Sequence, residues 1–275
     1  MLLRASRGGT VVLIACFVAL AVAPPAVGED GSTGPVPFAA KETRPVARDD
    51  GRRTMGRLPA NLGRGLIGVF NRDNPVPLLV GAGATGVASA FDDDVQESFN
   101  QQYDWGETFE TAGGPLYSTI FVAGMFTAGR FTRGGRFRAM TYDMLDAAIV
   151  NYAYTAVFKA AVGRERPNGQ DNKSFPSGHT SNTFALATVA ERHYGWKVGV
   201  PAYVLAGVMG ASRLQQDKHW LSDVVAGAAL GYIAGRTVVR VNGKPLESGA
   251  HTGASLTLTP IVGRHARGLQ MSVVF

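Results

Sequence analysis

The sequence predicts an all-α domain, a compact bundle of about six or seven helices, closed at its C-terminus by a β-hairpin. Three observations carry this prediction. Uncharged stretches rich in Ala, Gly, Val and Leu recur at Pro75–Phe91, Gly113–Gly129, Ala147–Phe158, Val198–Ser212 and Val224–Gly235, and their length favours helices. Strand-type alternation of apolar and polar residues is weak within them. Alternation is clear only near the end, in Ser255–Thr259 and Leu269–Val273, on either side of Gly263-Arg264-His265-Ala266-Arg267-Gly268.

The elements follow in chain order. Arg4 and Arg7 precede an apolar run from Val11 to Ala23, Pro24 and Pro25 break it, and Ala26-Val27-Gly28 offers small residues for cleavage. This pattern reads residues 1–28 as a secretory signal peptide and the protein as exported and periplasmic, associated with the inner or outer membrane where it is membrane-bound at all. The run is short of the roughly 20 residues of a membrane span. Cys16, the single cysteine, lies inside the signal, so a mature protein without disulfides is expected. Leu13-Ile14-Ala15-Cys16 loosely resembles a lipoprotein cleavage site, but the apolar run continues past Cys16, which disfavours lipidation. Residues 29–57 are rich in Gly, Pro, Arg and Asp without apolar period and read as a flexible linker. The helical domain is assigned to 58–240 and the hairpin to 241–275.

Within the helical domain, Gly227, Gly231 and Gly235 recur at four-residue spacing and predict close helix–helix contact along one face. The mean hydropathy of +0.04 is low for a polytopic membrane protein and favours a soluble or peripherally attached domain. The chain ends in Phe275, as many outer-membrane barrels do, but two strands cannot close a barrel, so a hairpin packed on the helical body is expected. With 27 basic against 21 acidic residues the chain carries +6. That balance suits an anionic partner: a phosphorylated substrate, an acidic membrane surface or nucleic acid. No block of five or more basic residues occurs, and nucleic acid is set aside on that ground.

Three clusters carry chemistry. Lys159 and Arg166 are seven positions apart, two helical turns, and Pro167 is expected to end that helix. Pro176-Ser177-Gly178-His179 precedes the helical pattern Thr180–His193: Ser177 can cap the helix, Gly178 lets a ligand approach the backbone, and the helix start offers free N–H groups to a phosphate. Ser212-Arg213 is followed after five residues by His219 and, four positions on, by Asp223. At that spacing the carboxylate and imidazole meet on one helical face, which fixes the imidazole tautomer and frees its other nitrogen for attack, while Arg213 supplies a bidentate phosphate clamp. Taken singly, each cluster also has a plain reading: cations at a helix end, a capped turn, a surface His–Asp pair.

Taken together, the eleven specified residues in three ordered blocks resemble the signature of the type 2 phosphatidic acid phosphatase and vanadium haloperoxidase superfamily. The resemblance covers Lys159–Asp223 firmly and the helices from about Leu58 to Arg236 more loosely. It implies the acid phosphatase/vanadium haloperoxidase-like fold and a phosphatase acting on phosphate monoesters, lipid phosphates or small esters. By the resemblance, His219 attacks phosphorus in line and Asp223 holds it. His179 protonates the leaving alkoxide and then helps activate water. Lys159, Arg166 and Arg213 bind the phosphate oxygens, with Ser177 and the Gly178 N–H as further contacts. Three fixed cations can supply the charge stabilisation that Mg²⁺ gives elsewhere, and no Asp/His cluster has metal-ligand spacing, so activity without a metal or other cofactor is expected. A bell-shaped pH profile is expected, with His219 neutral and His179 protonated.

The alternative within the same superfamily is a vanadium-dependent haloperoxidase. Vanadate mimics the phosphoryl transition state and can occupy the pocket as inhibitor or, in that alternative, as cofactor. The chain looks short for that class, and Phe175 before Pro176 looks phosphatase-like. A non-catalytic anion- or lipid-binding protein is the third class, and simple binding does not require the His179, His219, Asp223 set. Only eight residues, Asn168–Phe175, separate the first two clusters, short for the family, so a long substrate-covering loop is not expected.

Other features get plainer readings. Gly81-Ala82-Gly83-Ala84-Thr85-Gly86 fits G-x-G-x-x-G but lacks a preceding strand and a suitably placed acid, and reads as a packing helix. Asp92–Asp94 reads as a solvated turn. Arg164 is an electrostatic helper near the site, and His193, His251 and His265 read as surface residues.

Overall fold

The computed structural model describes residues 52–99, 115–132, 135–243, 255–262 and 267–274. The expected signal peptide, nearly all of the expected linker, His251, His265 and Phe275 lie outside the described residues. A 3₁₀ turn at Met55–Arg57 leads into eight described α-helices: α1 (Leu58–Gly68), α2 (Pro75–Ser89), α3 (Asp92–Phe99), α4 (Pro115–Phe131), α5 (Gly135–Val162), α6 (Gly178–Tyr194), α7 (Trp196–Gln215) and α8 (Leu221–Gly243). The architecture is all-α, as the apolar stretches predicted. Prolines at the first turn of α1 and α2 start those helices where the missing N–H has no intrahelical partner to lose. The G-x-G-x-x-G segment is continuous helix within α2, and its Gly81 packs against Ala229 of α8.

Two helices depart from expectation. Asp92–Asp94 opens α3 instead of forming a solvated turn, with acids at the positive end of the helix dipole and Asp92 only 6% exposed. The apolar stretch Ala147–Phe158 is only the second half of α5; the first half carries Arg136, Arg138, Asp143 and Asp146, which interrupt the apolar run without interrupting the helix.

The core centres on α8, which touches α1, α2, α5, α6 and α7. Val69, Met140, Met144, Val150, Val189, Ile233 and Val238 form its largest apolar cluster. The contact between α8 and α6 is set by the glycine stripe. A Cβ at Gly227 would come within 2.6 Å of the Ser177 carbonyl oxygen, and one at Gly235 within 2.6 Å of that of Ala185. At Gly231 a Cβ would overlap the carbonyl oxygen of Ser181. Residues 177, 181 and 185 repeat with the same four-residue period, so two matched stripes lie backbone to backbone. This closeness brings the N-terminus of α6 against the first turn of α8, where the Ser177 N–H donates to the Asp223 carbonyl at 2.9 Å.

At the other ends of α5, α6 and α8, roughly 20 Å along the bundle, lies a buried polar cluster. Arg53 donates to both carboxylate oxygens of Asp143, His193 Nε2 pairs with Asp143 Oδ2 at 2.8 Å, and Asn242 donates to Asp143 and Asp146. Burial pushes the Asp146 carboxyl up to about 6. His193 is therefore not a surface residue: its partner lies fifty positions earlier, where local spacing gives no sign of it.

Leu221–Gly243 is long and apolar enough to cross a membrane, but 61% of its apolar window is buried inside the protein. Large apolar side chains are instead exposed on α2 (Leu79, Val87), α5 (Tyr152, Val157) and α7 (Val204, Leu205). The C-terminal unit, Pro245–Phe275, holds β1 (Ser255–Val262) and β2 (Arg267–Val274), antiparallel with Ser255 opposite Val274 and Val262 opposite Arg267.

Candidate active site

The site is assembled at the end of the bundle where α5 and α7 finish and α6 and α8 begin. Lys159 lies in the last turn of α5, where its ammonium donates to the Lys173 carbonyl. The helix ends at Val162, with Gly163 at φ +59 as its left-handed stop, four residues before Pro167. Arg166 is therefore on a loop, not on a shared helical face with Lys159. Its Nε donates to Asp171 at 2.7 Å, and its Nη1 donates to the Lys218 carbonyl at 2.8 Å and lies 3.4 Å from His219 Nε2.

Ser177 is the N-cap of α6, fully buried, with its hydroxyl on Thr180. A Cβ at Gly178 would lie 3.9 Å from Lys159 Cε, so the open backbone of this helix start faces the lysine. His179 occupies the first turn of α6. Burial, with Arg213, His219, Arg166 and Lys159 adding positive charge, lowers it to about 3. The same four groups thus act on one imidazole from four segments of chain.

Arg213, in the last turn of α7, is 1% exposed, and its Nε and Nη1 have no hydrogen-bond partner among the described residues. Burial, reinforced by Arg166, lowers it to about 10, still cationic at neutral pH. A buried guanidinium with unused donors is costly unless an anion completes it. Lys159, lowered to about 8 by burial and by Arg166, adds a second charge in need of the same partner.

His219 precedes α8 and is 2% exposed. It does not share a helical face with Asp223; Trp220 intervenes at the start of the helix, where its N–H donates back to Asp223 Oδ2 at 2.9 Å, as in a capping box. His219 Nδ1 is 3.7 Å from Asp223 Oδ2, longer than a hydrogen bond. A carboxylate beside Nδ1 and a guanidinium beside Nε2 both select the Nδ1–H tautomer, which leaves the Nε2 lone pair toward Arg166. Burial lowers His219 to about 4, against the opposing pull of Asp223. Asp223 itself is fully buried and also accepts from Ser174 Oγ and, at 2.9 Å, from Arg164 Nη1.

The sequence reading missed Ser174 and Asp92 and gave Arg164 only a loose role. Arg164 Nη2 donates to Asp92 Oδ2 at 2.8 Å, seventy-two positions away. Among the described residues no three His, Cys, Asp or Glu side chains cluster in a metal-holding arrangement.

Residues 142–246 match the family model of the PAP2 superfamily. The chain is 36% identical over 124 residues to a lipid A 1-phosphatase of Porphyromonas gingivalis, an overlap that spans 44% of this chain and 27% of that protein. It is 34% identical over 105 residues to a decaprenylphosphoryl-5-phosphoribose phosphatase of Mycobacterium tuberculosis, spanning 35% of this chain and 58% of the relative. Among solved structures, LpxE of Aquifex aeolicus aligns with a TM-score of 0.47 at 18% identity, covering 55% of this chain and 95% of that one. A transmembrane PAP2-type phosphatidylglycerolphosphate phosphatase of Bacillus subtilis aligns with a TM-score of 0.46 at 20% identity, covering 66% and 92%. The stretch that matches the PAP2 superfamily model, residues 142–246, holds all three clusters.

Proposed function

We propose that the protein is a phosphatase that hydrolyses phosphate monoesters through a phosphohistidine on His219, without a metal ion. One observation carries the reading: the buried, incompletely bonded Arg213 guanidinium in the company of Arg166, Lys159 and two imidazoles held neutral. Two relatives, a lipid A 1-phosphatase and a decaprenylphosphoryl-5-phosphoribose phosphatase, agree with it. A tetrahedral dianion meets the unused donors of Arg213 and neutralises the excess charge of the three cations.

His219 Nε2 attacks phosphorus in line, the N–P bond forms, and the P–O bond to the alcohol breaks. The departing alkoxide takes a proton at His179. In the second half, His179 accepts a proton from water, whose oxygen attacks phosphorus as the N–P bond breaks, releasing inorganic phosphate. Throughout, Asp223 balances the charge that develops on the His219 ring.

The pH dependence follows from the lowered imidazoles. His219 is a competent nucleophile above about pH 4 and loses its lone pair below it. His179, at about 3, carries no proton in the empty site near neutrality, so the proton for the leaving group enters with the substrate monoanion. Phosphate monoesters lose that proton near about pH 6. The bell therefore shifts to the acid side. For p-nitrophenyl phosphate in EDTA, kcat/KM is expected to peak between about pH 4 and 6, with a further rise in KM above about pH 8 as Lys159 loses its charge. An acid limb centred near neutrality, or activity that EDTA removes, contradicts the reading.

The substrate class we propose is a lipid phosphate met at a membrane surface, on the exported side. The exposed apolar side chains of α2, α5 and α7 give the protein a means of associating with lipid. A lipid phosphate in mixed micelles is expected to be turned over with a kcat/KM at least about tenfold above that of a soluble ester, roughly 1.4 kcal/mol of added transition-state binding. Equal values would point to a soluble-ester phosphatase.

A further inference from the structure

Behind the proposed nucleophile runs a line of alternating charge, Asp223, Arg164 and Asp92, of which the superfamily signature contains only Asp223. Arg164 follows the end of α5, Asp92 begins α3, and Asp223 lies in the first turn of α8. Arg164 Nη1 donates to Asp223 Oδ1 at 2.9 Å and to Ser222 Oγ at 2.7 Å, while its Nη2 donates to Asp92 Oδ2 at 2.8 Å. Asp92 in turn accepts from the Ser222 N–H at 2.8 Å and the Ser222 hydroxyl at 2.7 Å. It thereby satisfies one of the N–H groups that the start of α8 leaves free. The Trp220 ring covers Arg164, whose guanidinium carbon is 5.2 Å from the ring centroid, and the Trp220 indole N–H donates to the Glu165 carbonyl. Both carboxylates of the line are buried.

We propose that Arg164 and Asp92 are positioning residues that set the orientation and effective charge of Asp223, and through it the tautomer and basicity of His219. This rests on the phosphatase reading above. With Oδ1 of Asp223 held by Arg164, Oδ2 is left for His219 Nδ1, the Trp220 N–H and Ser174. Asp92 holds Arg164 from the far side and shares its charge, so that Asp223 is not fully neutralised. His219 is otherwise faced by Lys159 from α5, Arg166 from the loop and His179 from α6, all cationic or neutral, and Arg213 from α7 acts on His179 beside it. Asp223 is the one carboxylate whose contact with this imidazole is recorded among the described residues, and its charge is the lever.

The two substitutions must therefore act in opposite directions. In Arg164→Met, Asp223 keeps more of its negative charge, His219 protonates more readily, and the acid limb of kcat/KM moves up. In Asp92→Asn, Arg164 draws fully onto Asp223, and the acid limb moves down. Shifts of about half to one pH unit are expected, with kcat reduced about 10- to 100-fold and KM for p-nitrophenyl phosphate within about threefold of the parent. Arg164→Lys, which restores the charge but not the fork, is expected to return the acid limb while recovering only part of kcat. Limbs that do not move, or that move together, overturn the proposal. Should Asp92→Asn fail to fold, Arg164→Met decides alone, by an upward shift at unchanged KM or its absence. His219→Ala serves as the separate control: activity surviving in it sinks the phosphatase reading, whereas a dead His219→Ala with unmoved limbs in the other variants sinks only the positioning role.

Discussion

His219→Ala is expected to lower turnover of p-nitrophenyl phosphate by roughly four orders of magnitude or more while leaving the binding of inorganic phosphate nearly intact. The prediction follows from the division of labour in the site. In the proposed mechanism the binding charge comes from Lys159, Arg166 and Arg213, on α5, the following loop and α7, none of which needs the imidazole to hold its place. Arg166 is fixed by Asp171 and the Lys218 carbonyl, and Arg213 by its burial. The proposed nucleophile, by contrast, has no substitute: His179 is held by its own helix start and is assigned the proton transfer in the same proposal. Initial rates and the Kd of inorganic phosphate measured by calorimetry check both halves. A modest loss of rate would mean direct attack by water, and a parallel loss of phosphate affinity would mean that the imidazole is chiefly a binding group.

The second large effect is on folding. Gly231→Val is expected to destabilise the protein by about 3 kcal/mol or more and Gly231→Ala by about 1–3 kcal/mol. The reason is backbone proximity: a side chain at Gly231 meets the Ser181 carbonyl, and no rotamer change can relieve a clash with main chain. The helices must separate, and since α6 carries Ser177, Gly178 and His179 while α8 carries Asp223, activity falls with stability. Gly83→Ala on α2 is the internal comparison. It is exposed with nothing within 4 Å of an added Cβ, so replacement gains up to about 1 kcal/mol of helix propensity. Thermal unfolding of the variants separates the two cases. A tolerated Gly231→Val would show that the stripe is not a contact surface.

Much of this was legible in the sequence because it is local. The glycine spacing, the capped turn at Ser177 and the apolar interiors of the helices are all written in neighbouring residues. What was not legible is long-range or decided by one backbone angle. Gly163 stops α5 before Pro167 does, because a left-handed glycine ends a helix as well as a proline does and comes first. His219 falls outside α8 because Trp220 and Asp223 close a capping arrangement one residue after it. Asp92 with Arg164 and His193 with Asp143 pair across seventy-two and fifty positions. An isolated charge in a sequence carries no mark of such a partner; only the fold supplies it. The same limit hid the unused donors of Arg213, since burial of a helix-terminal arginine depends on how α7 meets α6 and α8.

The most direct test of the central claim is to trap the enzyme during turnover. A steady-state reaction quenched in alkali, where phosphorus–nitrogen bonds survive, is digested and mapped by mass spectrometry. The account predicts one phosphoryl group on the peptide that contains His219, labile to acid and absent from His219→Ala. A phosphoryl group on another residue, or turnover at full rate with none trapped, would contradict it.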